Sequence, residues 1–256
     1  MADADGGPVE PDPRSRARRG GSRVRVGAVV VGLTVLATVL SGVLAVPAVL
    51  LGPTLGTLVL AVTLAELGYA LTAVGFVGLS GRGLAWLDLR RLVDARRFLL
   101  YVVGGAVVLF AFRSAVLAGA AALEVPFAPP RLTDTGFDTR AFALALIPLS
   151  LFVVAPCEEL FFRGVLQRYL GETVSTTGAI LGAGTLFGLV HLPSYLSYSP
   201  LGAAVSLFVV FVVGLGFGYL YERTGSLWVA VGVHGVYNAL IMASALLLAE
   251  LGYVSL

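Results

Sequence analysis

Pro156-Cys157-Glu158-Glu159-Leu160-Phe161-Phe162-Arg163-Gly164 places two adjacent carboxylates and an arginine inside an apolar run from Phe142 to Leu166. A run this long and this apolar is typical of a membrane span and not of an amphipathic helix in a soluble protein. A charged side chain at the centre of a span costs about 3 kcal/mol on insertion scales, so it persists where it is paired or used. We therefore expect this segment to be the functional centre of the chain.

The composition of the whole chain supports a membrane protein. Of its 256 residues, 58% are hydrophobic and 12% are charged, whereas soluble domains carry about 25% charged residues. These values predict an all-α, polytopic transmembrane helical bundle, since helices satisfy their own backbone hydrogen bonds in lipid. A single cysteine, Cys157, excludes an intrachain disulfide.

The first 25 residues differ from the rest, because they are polar and contain six arginines. Such a segment cannot bury a core, so residues 1–25 are predicted to be a disordered basic cytoplasmic tail. Arginines that flank a span act as a topology signal, and we predict no nucleic-acid partner. Three N-terminal spans are expected over 26–123, and a second transmembrane unit, which carries the two carboxylates, over 141–252.

Apolar runs predict seven spans, and an eighth span or a re-entrant segment is left open. The predicted spans cover 26–46, 54–79, 98–123, a fourth run that starts near Ala141, and 178–192, 200–221 and 226–251.

The distribution of arginines orients this predicted bundle. The tail, the loop from Gly81 to Arg97 and the ends of spans four and six carry most of the basic residues and fall on one side. By the positive-inside rule the N-terminus is cytoplasmic and the C-terminus is outside. We expect an integral membrane protein of the prokaryotic plasma membrane.

Three polar residues on separate spans are expected at one height. Glu158 and His191 lie almost equally far in sequence from the polar turn 171–175. If the chain folds back at this turn as a helical hairpin, both side chains lie at the same height, about 25 Å from the turn. His234 lies about 14 Å past the turn that follows span six. The polar stretch 167–176 is expected to project into the cytoplasm, which would leave the site about 10 Å deep on the cytoplasmic side.

These residues suit hydrolysis of a carbonyl compound by either of two routes. Glu158 and His191 can activate a water, with the carboxylate as general base, while His234 and Asn238, one turn apart, donate hydrogen bonds to an oxyanion. Alternatively, a Zn²⁺ ion could be held by Glu158, His191 and His234, with one position left for water. The sequence lacks the HExxH motif of the usual zinc-protease helix.

Other side chains are expected to support the site. Arg163 is four residues after Glu159, a spacing that predicts an ion pair. Phe187 precedes His191 by one helical turn and is expected to orient it. Glu66 in span two and Arg113 in span three lie at similar depth, and we predict that these two charges pair.

The ordered motifs Glu158-Glu159-x-x-x-Arg163, Phe187-x-x-x-His191 and His234-x-x-x-Asn238 resemble those of the CPBP intramembrane proteases. This family includes the type II CAAX prenyl endopeptidases, or Ras-converting enzymes, and bacteriocin-immunity-like proteins. The resemblance covers residues 142–251, and the first three spans match no family.

The resemblance implies a CPBP-type intramembrane endopeptidase whose active site opens to the cytoplasm. It assigns water activation to Glu158 and His191, and oxyanion stabilisation to His234 and Asn238. Its substrate would be a membrane-associated protein or peptide, which is prenylated in the eukaryotic members, and membrane lipids would be its other partners. A metalloendopeptidase with Zn²⁺ and a metal-free glutamate endopeptidase both stay open.

Two other classes of function compete with the protease. One is a non-catalytic membrane factor, immunity- or chaperone-like, that binds partners through the same bundle. The other is a small-solute or proton transporter, since intramembrane charges also line transport pathways. The presence of all four polar residues favours the enzyme, and the lack of an inverted repeat argues against the transporter.

Overall fold

Seven membrane helices form the part of the chain that the computed structural model describes, namely residues 13–127 and 139–251, with side chains from Ser22 onward. The helices are α1 (Pro13–Leu50), α2 (Leu55–Leu79), α3 (Ala95–Ala122), α4 (139–171), α5 (Thr176–Val190), α6 (Pro200–Thr224) and α7 (Leu227–Glu250). Six of them are long and apolar enough to cross a membrane, and α5 is shorter. The predicted all-α bundle is confirmed.

Helix starts follow the capping residues of the sequence. Thr54, Asp94, Ser175 and Ser199 each accept a hydrogen bond from the backbone N–H three residues later, at the start of α2, α3, α5 and α6. Gly225 ends α6 in the left-handed conformation, at a φ of 63°. The helix ends therefore lie close to the predicted span boundaries.

Helix α1 begins earlier than predicted. It starts at Pro13, inside the segment expected to be disordered, while residues 1–12 lie outside the described residues. Proline is well suited to the first helical position, and arginine and alanine are good helix formers. The basic segment therefore continues the first span as a helix.

Helix α4 is not a regular α-helix. It has π-helical turns at Ser150–Val154 and Leu160–Gln167, on either side of the α-helical turn Ala155–Glu159. Pro148 and Pro156 lack the N–H that would bond to the carbonyl one turn earlier, and such gaps distort a helix. The carboxylate pair thus lies between two widened segments, a feature frequent at functional sites.

One end of the bundle gathers the N-terminal part of α1 and the α2–α3, α4–α5 and α6–α7 connections. Arg23 donates from Nε to the carbonyl of Thr173 at 3.1 Å, and Arg82 forms a 2.8 Å ion pair with Glu172. The hydrogen bond to Glu172 raises the pKa of Arg82 above its usual value. We refer to this end as the arginine-rich end.

The other end, here called the distal end, holds the connections α1–α2 and α5–α6, the C-termini of α3 and α7, and the start of α4. Arg140 and Glu250 join α4 to α7 there through a 2.9 Å ion pair. Between the two ends, large apolar side chains such as Leu100, Val108 and Phe152 are exposed. Such an apolar exterior suits lipid, so the protein is an integral membrane protein.

Candidate active site

A cavity of about 480 Å³ lies inside the bundle, and all four residues predicted to be catalytic line it. They come from three separate helices: Glu158 from α4, His191 from the end of α5, and His234 and Asn238 from α7. The predicted convergence of these side chains is therefore present in the structure.

The two adjacent carboxylates have different surroundings. Glu158 lies on the cavity wall, where its Oε2 is 3.8 Å from Nε2 of His234 and has no hydrogen-bond partner among the described residues. Glu159 is fully buried. Its Oε1 accepts hydrogen bonds from Arg163 and from Nδ1 of His234, both at 2.8 Å. Glu159 is thus committed to internal contacts, whereas Glu158 faces the cavity.

Arg163 anchors the buried side of the site. Its Nη1 forms the ion pair with Glu159 that the four-residue spacing predicts, and its Nη2 donates to the carbonyl of Gly214 at 2.7 Å. The guanidinium also lies over the rings of Phe187 and Phe217, at 4.8 and 5.3 Å from their centroids. Ionic, hydrogen-bond and cation–π contacts together fix this buried charge.

His234 is held at one face and at one edge of its ring. The ring stacks on Phe217 with a centroid distance of 4.6 Å, while Glu159 holds Nδ1. The next residue, Gly235, permits this arrangement, since a Cβ there would lie 3.0 Å from a side-chain atom of Leu151 on α4. Close contact between α7 and the first π-helical segment of α4 thus brings His234 beside both carboxylates.

His191 directly follows the last residue of α5, and its ring is fixed by the preceding turn. Its Nδ1 is 2.7 Å from the carbonyl oxygen of Phe187. Because a carbonyl only accepts, Nδ1 carries the hydrogen, and Nε2 of the neutral ring keeps its lone pair. The Phe187 ring is 4.8 Å from the imidazole. The orienting contact expected of Phe187 is present, and its backbone carbonyl supplies the hydrogen bond.

Asn238 lies one helical turn beyond His234 and is half-buried at the cavity wall. Its side chain makes no hydrogen bond to another described residue. The amide is therefore available to a bound molecule.

Gln167 has a role that the sequence did not suggest. It was placed in a stretch expected to project into the cytoplasm, but it is fully buried. Its Nε2 donates to the carbonyl of Gly218 at 3.0 Å and to Glu222 at 2.9 Å. Arg163 and Gln167, one helical turn apart on α4, thus donate to the carbonyls of Gly214 and Gly218, which are one turn apart on α6. The sequence feature that could have indicated this contact between α4 and α6 is the four-residue spacing of Gly214 and Gly218.

The ion pair predicted between Glu66 and Arg113 is not found among the described residues. Both line the cavity, but no salt bridge joins them, and Oε2 of Glu66 has no hydrogen-bond partner there. Glu66 instead interacts electrostatically with Glu158, and Arg113 with Tyr195 and Tyr237. Similar depth in the membrane therefore did not bring the two charges within ion-pair distance.

The cavity occupies the distal half of the bundle. Its wall includes Leu117, Leu146, Ser194, Tyr195 and Met242, which lie in or near the distal parts of their helices or in the α5–α6 connection. On the other side of the carboxylates, the side chains of α4 are fully buried: Phe161, Phe162, Val165, Leu166 and Gln167. The cavity therefore extends from the middle of the bundle, where Glu158 and His234 lie, toward the distal end, and the opening of the site to the cytoplasm stays a prediction.

The predicted metal ligands do not form a metal site in the described residues. Within 13–127 and 139–251, no group of three or more His, Cys, Asp and Glu side chains is placed to hold an ion. A structural or catalytic zinc needs three or four protein ligands at about 2 Å.

Comparison with known proteins agrees with this geometry. A family model described as "Type II CAAX prenyl endopeptidase Rce1-like" matches residues 140–240. The "Uncharacterized protein YpbD" of Bacillus subtilis (strain 168) is 31% identical over 158 residues, which cover 59% of this chain and 72% of the relative. No solved structure matches. The chain belongs to the Rce1-like family of type II CAAX prenyl endopeptidases and is thus an intramembrane protease of the CAAX kind.

Proposed function

We propose that this protease hydrolyses a peptide bond of a membrane-associated protein or peptide, with Glu158 as the general base. One observation carries the proposal: Oε2 of Glu158 is buried at the cavity wall without a hydrogen-bond partner among the described residues, 3.8 Å from Nε2 of His234. The adjacent Glu159 is a poorer candidate: its Oε1 binds Arg163 and His234, and although its Oε2 has no hydrogen-bond partner among the described residues, the side chain is fully buried and does not line the cavity.

The reaction begins with a water molecule between Glu158 and His191. Glu158 removes one proton from the water while its oxygen attacks the peptide carbonyl carbon, and the carbonyl electron pair moves to oxygen. Nε2 of His191 accepts a hydrogen bond from the second O–H of the water and so orients it. Glu158 then passes its proton to the leaving nitrogen as the C–N bond breaks. The products are a carboxylic acid and an amine, and the acid gives its proton to the amine, which leaves a carboxylate and an ammonium group.

His234 and Asn238 stabilise the oxyanion. Each ring nitrogen of His234 faces a carboxylate oxygen, Nδ1 toward Glu159 and Nε2 toward Glu158. In the proposed reactive state both nitrogens carry hydrogen, so that Nε2–H can donate to the oxyanion together with the Asn238 amide. Charges then alternate from Arg163 to Glu159, His234 and Glu158, which balances them within the buried site. Loss of one such donor costs about 10²–10³-fold in kcat.

The purified protein in detergent tests this mechanism with quenched fluorescent peptides, farnesylated and unmodified. We expect Glu158→Gln to lower kcat by about 10³-fold, the middle of the range for general-base removal. Glu172→Gln is the matched control, because it makes the same change at a carboxylate in the α4–α5 connection, away from the cavity. It should retain most of the wild-type rate. Full activity of Glu158→Gln would contradict the proposed base.

The same assay decides the metal question. The proposed route predicts that wild-type activity survives a strong zinc chelator. Activity that is lost in chelator and restored by Zn²⁺ would instead support a metal site formed by Glu158, His191 and His234. A protein that binds the peptides but cleaves none of them would favour the non-catalytic binding factor.

A further inference from the structure

Arg113 is a charged side chain of the active-site cavity that the proposed reaction does not use. It lies on α3, is half-buried and lines the cavity wall. Its guanidinium makes no hydrogen bond or ion pair with another described residue. An arginine stays protonated in a protein, and a cation within a membrane span is costly unless it is paired or used. Arg113 is therefore a candidate to bind an anion that enters the cavity.

The acidic side chains of the cavity do not pair with Arg113. Glu66 and Glu158 line the same cavity, and these two interact electrostatically with each other. No salt bridge joins either of them to Arg113 within the part of the chain that the structure describes. Oε2 of each carboxyl group lacks a hydrogen-bond partner there as well. A bound molecule can therefore supply the anion that Arg113 lacks.

Two tyrosines lie close to Arg113 and complete a set of donors. Tyr195 and Tyr237 each interact electrostatically with Arg113, and also with one another. Both side chains are buried, line the cavity, and make no hydrogen bond through their hydroxyl groups to another described residue. A guanidinium binds a carboxylate through two parallel N–H donors, and phenol O–H groups can donate to the same oxygens. We call these three residues the Arg113 subsite.

The contact of α3 with α7 gives the distance between this subsite and the catalytic residues. A Cβ at Gly105 would lie 3.2 Å from a side-chain atom of Val233, so the two residues are level, and His234 follows directly. Arg113 is eight residues past Gly105, or about 12 Å along the helix, and its side chain leans back toward the start of α3. An extended peptide advances about 3.4 Å per residue. A group bound at Arg113 would thus be about two to four residues from a peptide bond beside His234.

We infer that the Arg113 subsite binds a carboxylate of the substrate, about two to four residues from the scissile bond. This carboxylate is either the C-terminal carboxylate of the peptide or the side chain of an aspartate or glutamate. Arg113 binds and positions the substrate and takes no part in bond breaking, so it is a specificity-determining residue. The position of the scissile bond rests on the proposed function, whereas binding of a carboxylate can be measured without cleavage.

Peptide binding to the Glu158→Gln protein in detergent tests the subsite in the absence of cleavage. The fluorescent peptides, farnesylated and unmodified, are prepared without internal acidic residues in three forms: a free C-terminus, a C-terminal amide, and an amide whose last residue is glutamate. We expect one or both carboxylate forms to bind about 10–100-fold more tightly than the plain amide, as for a charge-assisted hydrogen bond. The form that binds more tightly identifies the source of the carboxylate. Equal affinity for the three forms, or no binding of any, would overturn the inference.

Arg113→Gln in the same background should remove this preference and leave the affinity for the plain amide nearly unchanged. Arg97→Gln is the matched control, because it makes the same change on α3 at an exposed side chain paired with Asp94. It should keep the full preference. A preference retained in Arg113→Gln would overturn the inference, and so would an equal loss of affinity for all three forms, which is the result expected of a merely structural arginine.

A second variant keeps the test decisive where Arg113→Gln does not fold. Tyr237→Phe removes only a hydroxyl group and should lower the preference for the carboxylate form about fivefold, as for one hydrogen bond. An unchanged preference in this variant would then overturn the inference.

Failure of the subsite and failure of the proposed function give different results. If the wild type cleaves carboxylate and amide forms with equal kcat/KM, the proposed function holds and the subsite is wrong. If carboxylate forms bind more tightly but no peptide is cleaved, the subsite holds and the proposed function loses its support. In active enzyme, Arg113→Gln should raise KM for the carboxylate form and change kcat little, since it removes binding that is present before the reaction.

Discussion

The two halves of the bundle are built differently. Toward the arginine-rich end, α4 is buried on all sides, and its polar side chains Arg163 and Gln167 bind backbone carbonyls of α6. Toward the distal end, a cavity of about 480 Å³ separates the helices. In the first half, Arg163 and Gln167 donate to the protein, although Oε2 of Glu159, Nε of Arg163 and Oε1 of Gln167 have no hydrogen-bond partner among the described residues. At the cavity, the side chains of Glu158 and Asn238 make no hydrogen bond within this part of the chain.

The boundary between the halves runs between two adjacent residues. Glu159 points into the packed half and Glu158 into the hollow half, since successive side chains on a helix differ by about 100° in direction. One carboxylate therefore binds His234, while the other is the one that we propose to act on the substrate. The comparison teaches that the two adjacent carboxylates differ in their surroundings: Glu159 is enclosed by protein, and Glu158 is open to the cavity.

Two arginines, one in each half, should show the largest difference in stability. Arg163→Met should lower the free energy of unfolding by about 3–5 kcal/mol, because it leaves the buried Glu159 without its cationic partner. Arg113→Met removes a half-buried charge that has no ion pair among the described residues, so we expect a much smaller loss. The free energies come from SDS titration of the proteins in mild detergent.

The double variant Glu159→Gln/Arg163→Met serves as the control for this pair. It removes both charges and should recover part of the stability lost in Arg163→Met. Equal losses for Arg163→Met and Arg113→Met would remove the distinction between the halves.

Much of the fold, and the polar residues that line the cavity, could be predicted from sequence. Long apolar runs and capping residues locate the helices, because lipid requires every backbone group of a span to be satisfied within it. Glu158, His191, His234 and Asn238 could be singled out because polar groups are rare in such spans.

The remaining features depend on packing between helices, which one sequence does not encode locally. Two π-helical segments rotate α4, so helical rise alone could not say which way Glu158 and Glu159 point. Gln167 appeared to be part of a polar turn until the facing carbonyls of α6 were known. The cavity lies toward the distal end because buried aromatic rings fill the other half of the bundle. Hydropathy does not distinguish a packed half of a bundle from a half that contains a cavity.

Two valine substitutions compare the halves by volume. Val165 is fully buried in the packed half, so Val165→Phe should destabilise the protein by about 1–3 kcal/mol through overpacking. Val62 lines the cavity, so Val62→Phe should leave stability nearly unchanged and raise KM, since the ring takes substrate space. Unfolding in SDS and peptide cleavage measure the two effects. An equal loss of stability in both variants would argue against the cavity.

The smallest effect is expected at the solvent-facing edge of the packed half. Arg82 and Glu172 form a 2.8 Å ion pair with side chains that are 25% and 39% exposed. Because the hydrogen bond to Glu172 raises the pKa of Arg82, the arginine stays charged at any working pH. Solvent screens such a pair, so Glu172→Gln should lower the free energy of unfolding by under about 1 kcal/mol. Urea or SDS titration at low and high salt measures this, and the difference from wild type should shrink at high salt. A loss as large as that of Arg163→Met would mean that the packed half depends on its exposed edge as much as on its buried arginine.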